Sequence, residues 1–181
     1  MSPAHRYGAL AILAAVAIVA AVLLGFPRVT PGARPDGPQE WREGDILFQT
    51  SLSAQSQAIQ QATHSRWSHM GILFQKGGRW MVLEAIQPVK YTPAENWIHR
   101  GKDGHVVARR VHVLDTQAVA KLQHEAERYL GRPYDRTFEW GDQRIYCSEL
   151  VWKTYDRALG LRLGHLQKLK EFDLTPPSVQ E

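Results

Sequence analysis

The chain begins with an uninterrupted block of 19 uncharged, mostly apolar residues, 8–26. As a helix the block would reach about 28 Å, close to the thickness of a bilayer core. It has no polar face, so it does not suit a helix on the surface of a soluble domain. Arg6 supplies the positive region that precedes export signals. We interpret the block as a signal anchor. A cleaved signal peptide is the alternative, but the block is long for one and no A-x-A site follows it.

Residues 27–40 contain four Pro and two Gly, which excludes a helix or a central strand and predicts a linker. The folded domain should therefore begin near Trp41 and span residues 41–165, ahead of a polar tail at 166–181. Both interpretations of the N-terminal block export this domain. We expect it outside the cytoplasmic membrane, anchored through residues 8–26 or, after cleavage, secreted or periplasmic.

Composition removes several classes of function. The net charge is +4, and half of it lies in the first 36 residues, so the domain has no basic footprint for nucleic acid. The single cysteine, Cys147, excludes an intramolecular disulfide and any site with several cysteine ligands. His64 and His69 are five residues apart with no H-E-x-x-H motif, and there is no P-loop, so we predict neither a metal nor a cofactor.

The order of elements predicts an α+β domain with a mostly antiparallel sheet, because strands and helices do not alternate strictly. Apolar, β-prone runs around the turn Lys76-Gly77-Gly78 predict a hairpin. Capping residues and periodicity predict the helices. The predicted strands are 45–49, 69–75, 79–86 and 106–113, and the predicted helices are 51–63, 115–130 and 147–159.

Cys147 is the first candidate for chemistry. It stands where a helix should begin, and the N–H groups and dipole of a helix N-terminus stabilise a thiolate. The alternative is that Cys147 is a small buried apolar residue. A thiolate nucleophile needs a proton-handling partner. Among eight histidines, His69 lies where a polar loop meets an apolar strand, and His64 is the nearby alternative.

Glu84 interrupts an apolar strand, where a carboxylate is costly unless it has a partner. If Gly77-Gly78 is a two-residue turn, Gly71 lies opposite Glu84, and His69 then points to the same face of the sheet as Glu84. The diagonal distance between the backbones of His69 and Glu84 would be about 7–8 Å, which two long side chains can span. A three-residue turn would put the two side chains on opposite faces.

Five short motifs in this order resemble the YiiX/YebB group of permuted papain-like cysteine hydrolases, relatives of the NlpC-type cell-wall peptidases. They are Gly44-Asp45-Ile46-Leu47-Phe48, Ser65-Arg66-Trp67-Ser68-His69-Met70-Gly71-Ile72, Leu83-Glu84-Ala85, Gly131-Arg132-Pro133-Tyr134-Asp135 and Tyr146-Cys147-Ser148-Glu149-Leu150-Val151. The resemblance covers about residues 41–160. It implies a small antiparallel sheet or barrel packed against helices.

By this resemblance, Cys147 is the nucleophile, His69 the general base and Glu84 the residue that orients the histidine. Tyr146 matches the residue before the nucleophile and would help to line the substrate site. We expect a thiol hydrolase that cleaves an amide bond, in a cell-wall peptide or a related molecule, through an acyl-enzyme. An acyl-lipid hydrolase or acyltransferase with the same triad is one alternative, and a non-catalytic binding module is another. The expected partner is thus a peptide or lipid acyl substrate.

Overall fold

The computed structural model describes residues 41–111 and 114–180. Its five strands form one sheet in the order β4-β3-β2-β1-β5, and every neighbouring pair is antiparallel. The strands are β1 (Ile46–Ser51), β2 (His69–Lys76), β3 (Arg79–Glu84), β4 (Lys90–Pro93) and β5 (Gly101–Arg109). The predicted α+β class with an antiparallel sheet is confirmed. The sheet is open, with β4 and β5 at its edges, so the barrel alternative is wrong.

The helices cover both faces of this sheet. They are α1 (Gln55–Thr63), α2 (Ala94–Arg100), α3 (Thr116–Glu127), α4 (Cys147–Leu159) and α5 (Pro177–Gln180). Within the two described ranges, no helix is both long and apolar enough to cross a membrane. The predicted signal anchor at 8–26 and the predicted linker at 27–40 lie outside those ranges.

Alternation along β2 separates two apolar clusters. Leu73 and Val82 pack with Trp97 of α2 on one face, which we call the α2 face. Met70, Ile72 and Phe74 pack on the opposite face, the α4 face, with residues of α3 and α4 that include Leu122, Ala126, Leu150 and Val151. Because side chains alternate along a strand, His69 and Gly71 share the α2 face with Leu73.

The hairpin has the two-residue turn on which the predicted register depends. Lys76 pairs with Arg79 and Gly71 pairs with Glu84. Gly77 and Gly78 both have positive φ, 57° and 75°, which this kind of tight hairpin turn requires at both central positions. Glu84 therefore lies on the same face as His69, as the register predicts.

Several predicted boundaries are wrong. Ser51 belongs to β1 because it pairs with Gly101 of β5, and α1 begins only at Gln55. The strand predicted at 79–86 ends at Glu84. The strand predicted at 106–113 starts at Gly101 and ends at Arg109, and α3 ends at Glu127 rather than 130. The elements β4 and α2 were not predicted. Helix α4 has the predicted bounds, and Gly160 closes it with φ 68°.

The C-terminal segment packs along α1. A short 3₁₀ turn, Leu169–Glu171, precedes α5. The backbone N–H of Asp173 donates to the carbonyl of Ala62 at 3.2 Å, and the Ser178 hydroxyl bonds the side chain of Gln61.

Candidate active site

His69 is the first residue of β2, and its ring is almost completely buried. Its side chain is 9% exposed, and the ring stacks against Trp97 with 5.9 Å between centroids. The Nε2 atom of His69 lies 2.6 Å from Oε2 of Glu84. Gly71 lies opposite Glu84, and a Cβ there would be 2.8 Å from the carbonyl oxygen of Leu83. This close approach leaves room only for glycine at position 71.

Glu84 is completely buried, and every donor around it comes from a neighbouring element. We call this group of residues, His69, Glu84, Thr92, Trp97 and Arg100, the Glu84 cluster. Oε1 accepts a hydrogen bond from Thr92 at 2.6 Å. Oε2 accepts from His69, from Nε1 of Trp97 at 3.0 Å and from Arg100 at 2.5 Å. Burial alone would raise the pKa of Glu84, but His69, Thr92 and Arg100 lower it to about 2, so the group is a carboxylate at neutral pH.

Cys147 is the first residue of α4 and is 8% exposed. Its side chain interacts with the His69 ring, whose Nε2 already faces Glu84. Burial lowers the pKa of His69, but hydrogen bonding to Cys147 and Glu84 and the charges of both raise it to about 9. The arrangement therefore favours an imidazolium that contacts the Glu84 carboxylate and the Cys147 side chain at the N-terminus of α4.

A loop before Cys147 is anchored by buried polar groups on α4. Glu149 accepts the backbone N–H of Gly141 at 3.0 Å and pairs with Lys153 at 2.7 Å. Lys153 also reaches the Gly141 carbonyl at 2.5 Å and Asp142 at 2.8 Å. We call Gly141, Asp142, Glu149 and Lys153 the Glu149 cluster. The Glu149 cluster anchors the loop that leads to Cys147 to helix α4.

Tyr134 and Tyr146 flank the entry to α4. Tyr134 forms a parallel bridge with Ile145, which places it beside the residues that lead to Cys147. Burial first, and then the charge of Cys147, raise the pKa of Tyr134 well above its ordinary value, so its hydroxyl stays protonated. Tyr146 is completely buried and packs against Phe138, with 5.3 Å between ring centroids. Its role in lining the substrate site stays a prediction.

The structure brings Cys147, His69 and Glu84 together, and it places His64 elsewhere. His64 follows the last residue of α1, its side chain is 76% exposed, and its ring lies 3.8 Å from Asp173. Sequence reasoning missed Thr92, Trp97 and Arg100. A signal was present, because Pro93 followed by Glu95 is typical of a helix start, which would have placed a helix beside Glu84.

An α+β domain in which the histidine strand precedes a cysteine at the start of a helix has the arrangement of a permuted papain-like cysteine hydrolase. Residues 40–181 match the family described as "Permuted papain-like amidase enzyme, YaeF/YiiX, C92 family". The chain belongs to this family.

Two relatives from Escherichia coli are similar over most of their length. "Uncharacterized protein YiiX" of strain K12 is 54% identical over 138 residues, which cover 76% of this chain and 68% of that protein. The crystal structure of "metalloprotein yiiX" from O157:H7 is also 54% identical in sequence. It aligns with a TM-score of 0.75 and covers 77% of this chain and 78% of that one.

Proposed function

We propose that this chain hydrolyses an amide bond, in a cell-wall peptide or a related molecule, with Cys147 as nucleophile. The observation that carries the proposal is the His69 ring, which lies 2.6 Å from Glu84 and also interacts with Cys147. Membership of an amidase family supports the reaction class. An acyl-lipid substrate would use the same three residues, and it is an outcome of the experiment below.

In the proposed reaction Cys147 acts as a thiolate and His69 as an imidazolium, and the two form the reactive pair. The Cys147 sulfur attacks the carbonyl carbon, and the electron pair of the C=O bond moves to its oxygen. When the tetrahedral intermediate collapses, the C–N bond breaks and the amine takes the proton of His69. A water molecule then gives its proton to His69 and attacks the thioester. Release of the carboxylic acid restores the pair, while the Glu84 carboxylate keeps the ring oriented throughout.

Two donors are suited to the oxygen that becomes negative in this reaction. One is the backbone N–H of Cys147, at the open end of α4. The other is the Tyr134 hydroxyl, because Tyr134 is bridged to Ile145, two residues before Cys147. We expect Tyr134→Phe to lower kcat by about 10²-fold, as loss of one oxyanion donor does. Alkylation of Cys147 by iodoacetamide, which needs no oxyanion donor, should keep its rate.

Metal chemistry is not part of this proposal, although the related protein from strain O157:H7 is described as a metalloprotein. The candidate ligands here bond one another: His69 uses Nε2 on Glu84 and also contacts Cys147. Within residues 41–111 and 114–180, no three His, Cys, Asp or Glu side chains gather into a set that could hold an ion. These residues do not fit the three or four convergent ligands of a zinc site.

The proposed function is tested with a panel of peptide amides and phospholipid esters and the purified protein. We expect hydrolysis of peptide amides, and no hydrolysis by Cys147→Ser. Hydrolysis of the esters alone would identify a lipid hydrolase with the same residues. If wild-type protein cleaves neither class under conditions in which Cys147 is alkylated normally, the chain is a binding module.

We also propose that residues 8–26 hold the domain at the outer side of the cytoplasmic membrane. The length of this apolar block and the Arg before it support the proposal. Full-length protein should fractionate with membranes and resist carbonate extraction. A shortened, soluble product beginning near residues 27–36 would instead show that the block is a cleaved signal.

A further inference from the structure

Arg100 is the most exposed member of the Glu84 cluster. It is the last residue of α2, its side chain is 42% exposed, and one guanidinium nitrogen bonds Oε2 of Glu84 at 2.5 Å. The same oxygen accepts His69 Nε2 at 2.6 Å. Arg100 and His69 are therefore close neighbours around a single atom, with the guanidinium at the surface and the imidazole in the interior.

One carboxylate is shared between these two cationic groups. Within the part of the chain that the structure describes, Glu84 is the only carboxylate in ion-pair contact with Arg100. A guanidinium carries five N–H donors in a planar fork, and the bond to Glu84 uses one nitrogen. Lys90 lies opposite Glu84 in the β3–β4 register and is exposed, so a second cation stands on the same face.

The guanidinium is more than a support for Glu84. Thr92 and Trp97 are both buried and already donate to the two carboxylate oxygens. The backbone after Arg100 is also held in the sheet, because Gly101 pairs with Ser51 of β1. A fixed, half-exposed guanidinium beside a catalytic imidazole is suited to bind an anion that arrives with the substrate.

We propose that the outer edge of Arg100 binds a carboxylate of the substrate, so that the site selects amides with a carboxylate close to the scissile bond. The inference rests on the proposed function and names its substrate class. An Arg fork matches the two oxygens of a carboxylate, which gives orientation as well as attraction. Arg100 and His69 bond the same oxygen of Glu84, and His69 also interacts with Cys147, so the carboxylate belongs to a group close to the reacting carbonyl rather than to a distant part of the substrate.

Two alkylating reagents test this inference without knowledge of the natural substrate. Iodoacetate and iodoacetamide differ in a carboxylate, and both form an S–C bond to Cys147 with loss of iodide. We measure the ratio of the iodoacetate rate to the iodoacetamide rate in the wild type, Arg100→Gln and Arg79→Gln. Arg79 is an exposed arginine at the opposite end of β3, so it is a matched control.

We expect the ratio to fall about tenfold in Arg100→Gln, consistent with loss of a charge-assisted hydrogen bond, and to be unchanged in Arg79→Gln. Added salt should reduce the wild-type ratio toward that of Arg100→Gln. Arg100→Lys keeps the charge without the fork, so its ratio should fall between the two, and it replaces Arg100→Gln if that variant does not fold. A ratio unaffected by both Arg100 substitutions would overturn the inference.

A second measurement separates this inference from the proposed function. Peptide amides with a free carboxylate next to the scissile bond are compared with their methyl esters and with phosphorylated analogues. A carboxylate preference in KM that Arg100→Gln removes supports the inference. Equal hydrolysis of acid and ester, or a preference for the phosphorylated analogue, contradicts it while leaving the amidase proposal intact. No hydrolysis of any member contradicts the proposed function, and the alkylation ratio still decides the role of Arg100.

Discussion

Two glutamates, Glu84 and Glu149, are both completely buried, yet their carboxyl groups respond to burial in opposite ways. The pKa of Glu84 is lowered to about 2, whereas that of Glu149 is raised to about 7. Burial acts in the same direction on both, because it disfavours the charged form. The difference therefore comes from the partners that each carboxyl group meets.

Glu84 bonds four side-chain donors, and His69 and Arg100 among them can carry positive charge. Glu149 has one cationic partner, Lys153, which it shares with Asp142, and two backbone N–H groups. Lys153 and the backbone donors only partly offset the burial of Glu149. The comparison shows that burial alone does not decide whether a carboxyl group is charged. The number of cationic donors around the group decides it. Glu84 is built to remain charged, and Glu149 is built to hold a loop.

The largest expected effect comes from removing the partner of Glu84 that faces Cys147. His69→Ala should lower kcat/KM for an amide substrate by about 10³–10⁴-fold, because both proton transfers lose their acid–base group. His64→Ala is the matched control, since that exposed ring contacts Asp173 and should leave the rate unchanged. A large loss in His64→Ala with a small loss in His69→Ala would reverse the assignment of the base.

Removing the cationic partner of Glu149 should affect stability instead. Lys153→Met leaves a buried carboxyl group without its cation, so we expect the free energy of unfolding at pH 8 to fall by about 3–5 kcal/mol. The control is Lys76→Met, which breaks the partly exposed pair with Glu127 and should cost about 0–1 kcal/mol. Urea denaturation measures both. Similar losses in the two variants would show that Glu149 does not depend on Lys153.

Glu84→Gln sharpens the comparison at the active site. The amide can still bond the His69 ring but cannot stabilise an imidazolium, so we expect kcat/KM to fall by about 10²-fold with the fold retained. The pKa of His69 should also fall from about 9, because it loses the charge of Glu84. The rate of Cys147 alkylation, measured against pH, should then show the deprotonation of His69 at a lower pH than in the wild type. Circular dichroism checks the fold.

The smallest expected effect is a change in the pH dependence of stability. Between about pH 4.5 and 7 the folded state binds more protons at Glu149 than the unfolded state does. The free energy of unfolding should therefore decrease as the pH rises through this range. In Glu149→Gln this decrease should be weaker. Glu84 acts in the opposite direction and at lower pH: its contribution is complete above about 4.5 and is lost as the pH falls toward 2.

Two local signals, a hairpin turn and a helix start, account for the part of the site that could be predicted from the sequence. The positions of His69 and Glu84 on one face depend on the number of residues in the hairpin turn, and Gly77-Gly78 favours two. Helix α4 is also predicted by local signals: it begins at Cys147, and Gly160 closes it where the sequence pattern predicts. Local signals thus predicted both the register and the helix that bring the three residues together.

The rest of the site depends on elements whose local signals are weak. Strand β4 has four residues and includes Pro93, and α2 has seven, so neither shows a clear periodicity. The first half of β5 is polar and exposed, because it lies at the edge of the sheet and includes Asp103 and Gly104 with positive φ. Thr92 lies in β4, and Trp97 and Arg100 lie in α2. Their shared contact with Glu84 is tertiary and leaves no spacing to recognise.

Because Cys147 opens the last long helix of the domain, the order of synthesis also becomes the order in which the site is completed. The hairpin that carries His69 and Glu84, and the Thr92–Arg100 stretch that surrounds Glu84, leave the ribosome before the thiol is made. A nascent chain that ends before α4 contains His69 and Glu84 but not the proposed nucleophile, Cys147. Under the proposed mechanism such a chain remains inactive until its last fifth, residues 147–181, emerges, and a reagent specific for a thiol beside His69 would label completed molecules alone.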